Sequence, residues 1–471
     1  MKAAKHQSSP MQQYDAIIIG AGQAGGPLAK KLANAGKKTV LIEKRWIGGT
    51  CVNDGCTPTK TWVASARAAY VAANSSHIGV KVKGVRIDMR QVKARKDEIV
   101  LHARNGGQAA IEKTKNLDLI FGEAAFTGPK TVVVTLKDGS QKQLQADLIF
   151  INTGAKPAVP PIEGLNDIDY LNSTSILELD KVPEHLLIIG ANYIGMEFGQ
   201  MFNRFGSKVT MVERSPRVLG REDEDVASAV HKILTDEGID ILTDAQATNF
   251  KKTKKGIKAT VNAGGREQSI KCSHVLIAVG REPQTAALNL PAAKVQVDER
   301  GFIKVNEYLE TTEQGIYALG DVKGGPAFTH ISYNDYTIVY RNLIENKKLS
   351  VKDRPVPYCM FTDPQLGRIG ITAQEAKKQK LKNIKVVKLP MEHVARAVEM
   401  GDTRGLMKAV VDTKTKKILG AAVLGTEGGE IMSVLQMAME GGITYDRVRY
   451  FVFAHPTYSE SLNNLFMGLE D

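Results

Sequence analysis

The chain of 471 residues is too long for a single hydrophobic core, so two to four domains are expected. Its hydrophobic fraction of 43% and charged fraction of 24% are those of a globular protein in water. The chain has no run of 18 apolar residues, so no membrane-spanning helix is expected. The formal net charge of +12 comes from basic residues spread along the chain, without a known RNA- or DNA-binding motif, which favours a solvated surface over nucleic-acid binding.

The N-terminal segment, residues 1–13, lacks the apolar stretch of a secretion signal, and we predict a flexible tail ahead of the first strand. Four cysteines do not make the disulfide framework of a small secreted protein. We therefore expect a cytoplasmic protein, in which a close cysteine pair is typically catalytic or metal-binding.

Residues 14–19 (YDAIII) predict a buried parallel strand that leads into GAGQAG, where Gly20, Gly22 and Gly25 have G-x-G-x-x-G spacing. An Ala- and Leu-rich helix and a second strand ending at Glu43 follow. In this pattern the glycines permit a tight turn and close backbone approach, the helix N-terminus receives a pyrophosphate, and the acid binds a ribose hydroxyl. The segment predicts a dinucleotide site.

The stretch GGTCVNDGCTPTK, residues 48–60, contains Cys51 and Cys56. In a regular helix, residues five apart have Cα atoms about 8.6 Å apart, whereas a disulfide allows no more than about 6.8 Å. A bond therefore requires Cys51 to precede the helix or to lie in a distorted first turn. The nearby glycines permit this, and Pro58 suits a first helical turn.

In that arrangement Cys56 lies near a helix N-terminus, whose partial positive charge favours a thiolate. Lys60, one turn further along, adds positive charge, whereas Asp54 disfavours a thiolate. The residues by themselves leave two alternatives, a redox pair or two buried structural thiols, and the spacing and glycines favour the redox pair.

A second nucleotide unit begins with residues 185–189 (HLLII), continues through GANYIGMEFG, and reaches a strand that ends at Glu213. The interval from Gly190 to Glu213 equals that from Gly20 to Glu43. Asn192 replaces the middle glycine, and asparagine is the side chain that best tolerates an unusual backbone there. We predict a second nucleotide site.

The choice of nucleotide at this second site rests on the residues that follow the strand. Glu213 favours NADH, because a carboxylate pairs with ribose hydroxyls and repels a 2′-phosphate. Arg214 and Arg217 could hold that phosphate or could be surface residues, and we favour NADH over NADPH.

Two further strands, within residues 146–157 and 273–283, each run into a glycine, and GIYALGD (315–321) ends in Asp321. Ligands of parallel sheets bind at the carboxyl ends of strands, so we favour a ligand contact for Asp321 over a helix cap. From about residue 356, alternating apolar and polar residues predict antiparallel strands, followed by amphipathic helices. Cys359 begins this α+β region, where a small buried residue is favoured over a metal-binding thiol.

Taken together, these motifs resemble those of the class I FAD-dependent pyridine nucleotide–disulfide oxidoreductases, which include dihydrolipoamide dehydrogenase, glutathione reductase and mercuric reductase. TGAKPAVPPIEG, AVGREPQT, VPYCMFTDPQLGRIG and AHPTYSE extend the resemblance from about residue 14 to 465. The resemblance implies an α/β fold with two Rossmann-like domains, for FAD and for NAD(P), and a C-terminal α+β dimerisation domain. The implied boundaries are 14–155 with 283–354 for FAD, 156–282 for NAD(P), and 355–471 for dimerisation.

The resemblance also implies roles for individual residues. Cys56 is the thiol beside the flavin, and Cys51 is the interchange thiol that meets the substrate. Lys60 and Glu197 form a pair near flavin N5, and Tyr193 is an aromatic gate over the nicotinamide pocket.

His455 and Glu460, from HPTYSE, match the family's base and its orienting carboxylate, which the other subunit of a homodimer supplies. No metal ligands are predicted. The implied cofactor-binding residues are Gly20, Gly22, Gly25, Glu43, Gly49, Thr50, Thr153, Gly154, Asp321, Gly190, Tyr193, Gly195, Glu213, Arg214 and Gly280.

The resulting prediction is an enzyme that passes electrons from NAD(P)H through FAD to a Cys51–Cys56 disulfide, and on to a small disulfide or a thiol-reactive metal ion. The alternatives are an NAD(P)H oxidase or quinone reductase of the same fold, a dihydrolipoamide dehydrogenase, and a non-catalytic flavoprotein subunit. The lack of a cysteine after Cys359 argues against full mercuric reductase activity. The polar residues Asp54 and Thr57 argue mildly against lipoamide. Neither a membrane nor a nucleic acid is expected as a partner.

Overall fold

The computed structural model describes residues 10–469, so most of the expected tail, residues 1–9, lies outside the described part, as do the last two residues. The described residues form two compact units. The first comprises the residues up to Thr59, Ala94–Ala158 and Gly280–Arg354. The second comprises Lys60–Lys93, Val159–Val279 and the residues from Pro355 onward. The division into two nucleotide domains and one dimerisation domain stays a prediction.

The secondary structure alternates strands and helices. The strands are β1 Gln12–Ile19, β2 Thr39–Glu43, β3 Leu117–Phe121, β4 Glu123–Gly128, β5 Thr131–Thr135, β6 Gln141–Ile151, β7 Ala155–Pro157, β8 His185–Ile189, β9 Lys208–Val212, β10 Asp240–Leu242, β11 Ala245–Thr253, β12 Gly256–Ala263, β13 Arg266–Cys272, β14 His274–Ile277, β15 Arg281–Pro283, β16 Ile316–Ala318, β17 Tyr358–Met360, β18 Gln365–Gly370, β19 Ile384–Pro390, β20 Leu406–Asp412 and β21 Ile418–Gly425. The helices are α1 Gly25–Asn34, α2 Gly49–Asn53, α3 Cys56–Asn74, α4 Met89–Glu112, α5 Tyr193–Phe205, α6 Glu224–Asp236, α7 Thr329–Ile344, α8 Ala373–Lys378, α9 Ala395–Glu399, α10 Gly428–Glu440, α11 Tyr445–Arg449 and α12 Ser461–Met467. No helix within residues 10–469 is long and apolar enough to cross a membrane.

The first unit is organised around a sheet with the strand order β3-β2-β1-β6-β5-β4, in which β16 also pairs with β6. The pairs of β1 with β2 and β6, of β2 with β3, and of β16 with β6 are parallel. Ala16–Ile19 are buried, as expected for a parallel strand covered on both faces. Strand β1 begins at Gln12, two residues earlier than predicted, because Gln12 and Gln13 continue the pairing with β6.

The second unit contains a parallel sheet, β10-β9-β8-β14, and an antiparallel sheet, β11-β12-β13. Trp62 of α3 packs edge-on against Phe202 and Phe205 of α5, with ring centroids 6.0 and 6.4 Å apart. This aromatic cluster belongs to a buried core that includes β8 and β9, which explains why residues 60–93 group with the second unit.

The C-terminal part of the second unit is an antiparallel sheet with the order β17-β18-β21-β20-β19. Helix α10 packs on it through Ile431, Met432, Leu435 and Ala438, which recur at helical spacing and are buried. The predicted fold class is therefore confirmed: parallel Rossmann-like sheets are followed by an α+β region.

A cluster of buried ion pairs holds several segments of the second unit together. The Arg204 guanidinium lies 2.7 Å from both Glu237 Oε1 and Asp363 Oδ2, and its side chain is only 4% exposed. Arg404 Nη1 lies 2.9 Å from the same Glu237 oxygen. The Arg204 guanidinium also covers the ring of Tyr70, in α3, at 3.8 Å. These contacts join α3, α5, the end of α6 and the loop before β18.

Candidate active site

The predicted glycine-rich loop of the first unit packs directly against the end of β6. Gly20 has φ +101°, and a Cβ there would lie 2.3 Å from the carbonyl oxygen of Asn152. A Cβ on Gly25 would lie 2.0 Å from Gly20 O. Glu43 accepts a hydrogen bond from Ala21 N at 2.8 Å, so the acid at the end of β2 also holds the loop. Only glycine fits at both tight positions.

The cysteine stretch is fastened to this same loop. Gly48 N donates to Ala21 O at 2.9 Å, and Gln23 Nε2 donates to Gly48 O at 3.0 Å. A Cβ on Gly49 would lie 2.7 Å from the Cα of Gly22. The thiols therefore belong to the same local structure as the predicted nucleotide loop.

We expect Gly49→Ala to weaken the retention of the predicted FAD by about tenfold, because its φ of +60° and the overlap with Gly22 combine backbone strain with displacement of the loop. The measurement is the ratio of flavin to protein absorbance after gel filtration. Gly36→Ala is the matched control, because Gly36 has φ +87° but open space around it. Equal flavin retention in the two variants would contradict the idea that the contact of Gly49 with the glycine-rich loop supports flavin binding.

Cys51 lies in the short helix α2, and Cys56 is the first residue of α3. Cys51 thus precedes the long helix, which is one of the two arrangements that a bond with Cys56 requires. Gly55 forms the break between the helices, and a Cβ there would lie 2.7 Å from Thr50 O, a contact that no larger residue permits. Cys56 is exposed and Cys51 is half-buried.

Cys56 lies at the start of two helices. Its Sγ is 3.2 Å from Oγ1 of Thr329, the first residue of α7, which the sequence did not single out. Helix N-termini favour a thiolate, so the positive environment predicted from α3 gains a second contribution. Asp54 is ion-paired with Arg45 at 2.8 Å, so the negative charge expected to oppose the thiolate is offset.

The carboxyl end of β6 and the strand β16 contribute the other predicted flavin contacts. Asn152 is buried; its Oδ1 accepts from Gly25 N, and its Nδ2 donates to Leu319 O, both at 2.9 Å. It therefore joins α1 to the loop that carries Asp321, a role that the sequence did not reveal. Burial raises the pKa of the Asp321 carboxyl, and Arg281 Nε lies 3.7 Å from it.

The same edge also fits a polar cofactor because it holds unused hydrogen-bonding groups. Thr153 Oγ1 and Arg281 Nε are buried without a hydrogen-bond partner among residues 10–469. Buried polar atoms normally have partners, so these atoms fit a bound group. Gly154, with φ +68°, has open space where a side chain would stand. Thr50, near the start of α2, is exposed. The residues present suit the FAD that the resemblance implies.

The second unit repeats the loop geometry of the first. Gly190 has φ +102°, and a Cβ there would meet Ala278 O at 2.6 Å, while a Cβ on Gly195 would meet Gly190 O at 2.0 Å. Asn192 does not adopt the unusual backbone that we expected. It is extended, with φ −109° and ψ −173°, and caps α5 by accepting from Tyr193 N at 3.0 Å.

The replacement of the middle glycine has a different physical reason. In the first unit, a Cβ on Gly22 would lie 3.0 Å from Oδ1 of Asn152. Ala278 occupies the equivalent position in the second unit, since it donates to Ile189 O as Asn152 donates to Ile19 O. Because Ala278 lacks the side-chain amide that Asn152 places beside Gly22, the second loop can hold a residue larger than glycine at position 192.

Glu213 holds the second loop as Glu43 holds the first. Its carboxylate accepts from Ala191 N and Ser215 N, both at 2.9 Å. Arg214 is exposed. Arg217 donates to the carbonyls of Gly220 and Glu222 at 3.1 Å and therefore serves the local fold.

Lys60 and Glu197, predicted as a pair, are in contact. Lys60 Nζ lies 2.7 Å from Glu197 Oε2, and Glu197 Oε1 accepts from Phe361 N at 2.8 Å. The ammonium also lies 4.8 Å from the centroid of the Phe361 ring. The carboxylate is thus held on both oxygens.

Tyr193 is the first residue of α5 and lies directly after the glycine loop. Its hydroxyl donates to Glu222 Oε1 at 3.3 Å, and its ring lies 5.4 Å from that of Tyr358. Burial raises the pKa of Tyr193 to about 12. No sequence pattern indicated Glu222 or Tyr358, because they come from distant segments.

His455 and Glu460 are brought together as predicted. His455 Nδ1 lies 2.9 Å from both carboxylate oxygens of Glu460, and the imidazole is exposed.

Cys359 is half-buried in β17, and burial raises its pKa to about 12. Gly280, with φ +136°, accepts from Ala158 N at 3.0 Å. Within residues 10–469, no three His, Cys, Asp or Glu side chains are grouped as metal ligands.

Comparison with known proteins agrees with this geometry. A family profile described as pyridine nucleotide-disulphide oxidoreductase matches residues 14–335, and the profile of its dimerisation domain matches residues 356–466. The probable pyridine nucleotide-disulfide oxidoreductase RclA of Escherichia coli K12 is 40% identical over 460 residues, covering 97% of this chain and 99% of that protein. A mercuric reductase of Bacillus cereus is 36% identical over 449 residues, covering 95% of this chain and 70% of that enzyme.

Among solved structures, the Cu(II) complex of the HOCl-induced flavoprotein disulfide reductase RclA from Escherichia coli superposes with a TM-score of 0.89 and 39% identity. It covers 98% of this chain and 100% of that one. Membership of this family implies FAD and a nicotinamide cofactor. The resemblance inferred from the motifs is thus confirmed: the chain belongs to the class I pyridine nucleotide–disulfide oxidoreductases and is a flavoprotein disulfide reductase.

Proposed function

We propose that this enzyme uses NADH to reduce a small disulfide or a thiol-reactive metal ion through Cys51 and Cys56. The observation that carries the proposal is the hydrogen-bonded attachment of the cysteine stretch to the glycine-rich loop, with Gly48 N donating to Ala21 O at 2.9 Å. A thiol pair built onto a nucleotide loop suits the exchange of electrons between a dinucleotide cofactor and a dithiol. A cytoplasmic location suits a dithiol, because that compartment keeps thiols reduced.

FAD, when bound, supplies two-electron transfer between a nicotinamide hydride and a disulfide. The residues that would hold it are those at the carboxyl edge of the first parallel sheet. The glycine-rich loop and the N-terminus of α1 suit its pyrophosphate, and Glu43 suits a ribose hydroxyl. Thr153, Arg281 and Asp321 add the polar groups for the remainder.

In the reduced enzyme, the Cys51 thiolate attacks one sulfur of the substrate disulfide, forms a mixed disulfide and releases the first thiol. Cys56 then attacks Cys51, which forms the Cys51–Cys56 bond and releases the second thiol. The substrate gains two electrons and two protons as the cysteine pair loses them. The N-termini of α3 and α7 favour the thiolate form of Cys56.

The proton for the leaving thiol is assigned to the His455–Glu460 pair. Because Glu460 holds Nδ1, Nε2 remains to accept a proton from Cys51 and to deliver it to the leaving group. We propose that the enzyme is a homodimer and that His455 of the partner subunit serves each site, since the match to the dimerisation domain includes this residue. Lys60, which is paired with Glu197, would supply positive charge to the reaction when FAD is bound.

A thiol-reactive metal ion is the second candidate substrate. Soft thiolates bind Cu and similar ions well. The similar E. coli protein was solved as a Cu(II) complex, and mercuric reductases are among the relatives, which supports this branch.

NADH is preferred in this proposal because the Glu213 carboxylate would pair with ribose hydroxyls and repel a 2′-phosphate. Arg217 is engaged by carbonyl groups. We expect kcat/KM to be at least about tenfold higher for NADH than for NADPH. An anaerobic titration with each nucleotide should bleach the flavin absorbance and produce a long-wavelength band.

A turnover panel of lipoamide, glutathione disulfide, other small disulfides, Hg(II), Cu(II) and a quinone then identifies the electron acceptor. Turnover with the quinone alone would contradict the proposal and favour a quinone reductase.

A further inference from the structure

Asp54 directly follows α2 and stands in the chain between the two cysteines. It comes three residues after Cys51 and two before Cys56, so its Cα lies within about 7 Å of the Cα of Cys56. Its side chain is only 12% exposed. A carboxylate in such a place disfavours negative charge on a neighbouring sulfur. Asp54 alone would therefore oppose the thiolate chemistry of the pair.

The Arg45 guanidinium lies against this carboxylate. Arg45 Nη1 is 2.8 Å from Asp54 Oδ2, and the arginine side chain is 48% exposed. A pair with one largely buried member is screened by water and salt less than a fully exposed pair. The cation therefore reduces the negative potential that Asp54 imposes on the two sulfurs.

Arg45 is held in this position by its neighbours. Its backbone N donates to Glu43 Oε1 at 2.8 Å, and its guanidinium lies 3.8 Å from the centroid of the Trp46 ring. The guanidinium of Arg104, in α4, lies 3.9 Å from the same ring. Arg104 Nε also donates to Oδ1 of Asn53, the last residue of α2, at 2.7 Å. The tryptophan and α4 therefore hold both partners of the ion pair in place.

We propose that Arg45, by offsetting Asp54, sets the reduction potential of the Cys51–Cys56 couple. Reduction of the disulfide by two electrons and two protons gives two thiols, of which Cys56 lies at helix N-termini that favour ionisation. Arg45 stabilises this reduced form, whereas the uncharged disulfide is far less sensitive to either charge. Loss of the cation therefore favours the disulfide, and loss of the anion favours the dithiol. The inference rests on the proposed function, because it requires the two cysteines to form a reversible couple.

The test equilibrates the flavin-loaded enzyme with buffers of dithiothreitol and its cyclic disulfide. Each enzyme disulfide that is reduced consumes one dithiothreitol and yields one cyclic disulfide, so electrons and protons balance. Alkylation followed by peptide mass analysis gives the reduced fraction of Cys51 and Cys56 without reference to turnover.

The two single variants should shift this equilibrium in opposite directions. Arg45→Met should lower the equilibrium constant for reduction about threefold, which makes the potential about 14 mV more negative. Asp54→Asn should raise the constant by a similar factor, because it leaves the arginine charge beside the sulfurs. All other charged groups are the same in the compared proteins, so their contributions cancel.

The double variant Arg45→Met/Asp54→Asn separates charge from structure. It lacks the ion pair but has the net charge of the parent enzyme, so its equilibrium constant should return close to the parent value. A purely structural role of the pair predicts no such return. Arg341→Met is the matched control, because Arg341 pairs with Glu345 at 3.0 Å and is 41% exposed. It lies twelve residues along α7 from Thr329, about 18 Å away, and its loss should leave the constant unchanged.

Three results would overturn this inference alone: shifts of the same sign in the two single variants, no shift in either, or a double variant that does not return toward the parent value. If Arg45→Met does not fold, Asp54→Asn decides, since a lowered or unchanged constant in that variant contradicts the inference. A parent enzyme whose Cys51 and Cys56 do not interconvert with a disulfide in these buffers would overturn the proposed function as well.

Discussion

Replacing Cys51 with serine is expected to lower disulfide turnover by on the order of a thousandfold or more, because the attacking thiolate is lost and no neighbouring group replaces it. Reduction of the flavin by NADH and turnover of a quinone should persist, since neither requires the interchange thiol. Steady-state rates with a disulfide and with a quinone, measured on the same preparation, give the comparison. Unchanged disulfide reduction in this variant would refute the proposed function.

Cys272→Ser is the matched control for this substitution. Cys272 ends β13 and is buried, and burial raises its pKa to about 12, so its thiol is protonated and unreactive at neutral pH. Its replacement should leave disulfide turnover within about twofold of the parent enzyme. A large loss in this variant would show that serine substitution impairs the enzyme through folding, and the Cys51 result would then lose its meaning.

Glu237→Gln is expected to destabilise the second unit by about 3–5 kcal/mol, because it removes the charge that faces two arginines in a buried cluster. The Glu237 carboxylate accepts hydrogen bonds from Arg204 Nε at 2.8 Å, from Arg204 Nη2 at 2.7 Å and from Arg404 Nη1 at 2.9 Å. Its side chain is 8% exposed, so water cannot replace the lost interaction. The midpoint of urea unfolding measures the effect, with hydrogen exchange in α5 as a local probe.

The neighbouring residue supplies the control for that prediction. Asp236 pairs with Lys232 at 2.8 Å on the surface of α6, with side chains 61% and 75% exposed. Asp236→Asn should therefore change stability by no more than about 0.5 kcal/mol. Similar losses of stability in the two variants would mean that the buried ion pairs of Glu237 stabilise the second unit no more than the exposed pair of Asp236 does.

The nucleotide-binding fold could be predicted because its determinants are local. Glycines, helix and terminal acid follow the first strand within residues 20–43, and each is required by backbone geometry or phosphate binding. The position of Cys51 ahead of α3 was one of the two arrangements that the spacing allows for a bond with Cys56, and the nearby glycines favoured it. His455 and Glu460 lie five residues apart, so their contact also depends on short-range structure.

The remaining features depend on contacts between distant segments. Asn192 was explained wrongly because the relevant neighbour is Ala278, which only the sheet brings near the loop. Glu222 lies in the acidic run REDED, which from sequence would be expected on the surface, yet it is completely buried. Thr329 carries no motif and becomes relevant only because α7 begins beside Cys56.

The attachment of residues 48–49 to the GAGQAG loop has a consequence for how the enzyme matures. Because hydrogen bonds join Gly48 to Ala21 and Gln23, a displacement of the glycine-rich loop also displaces the segment that carries Cys51. We therefore expect a chain without its flavin to be less active in thiol exchange than the loaded enzyme. Retention of colour and reactivity of the thiols should accordingly rise together during assembly.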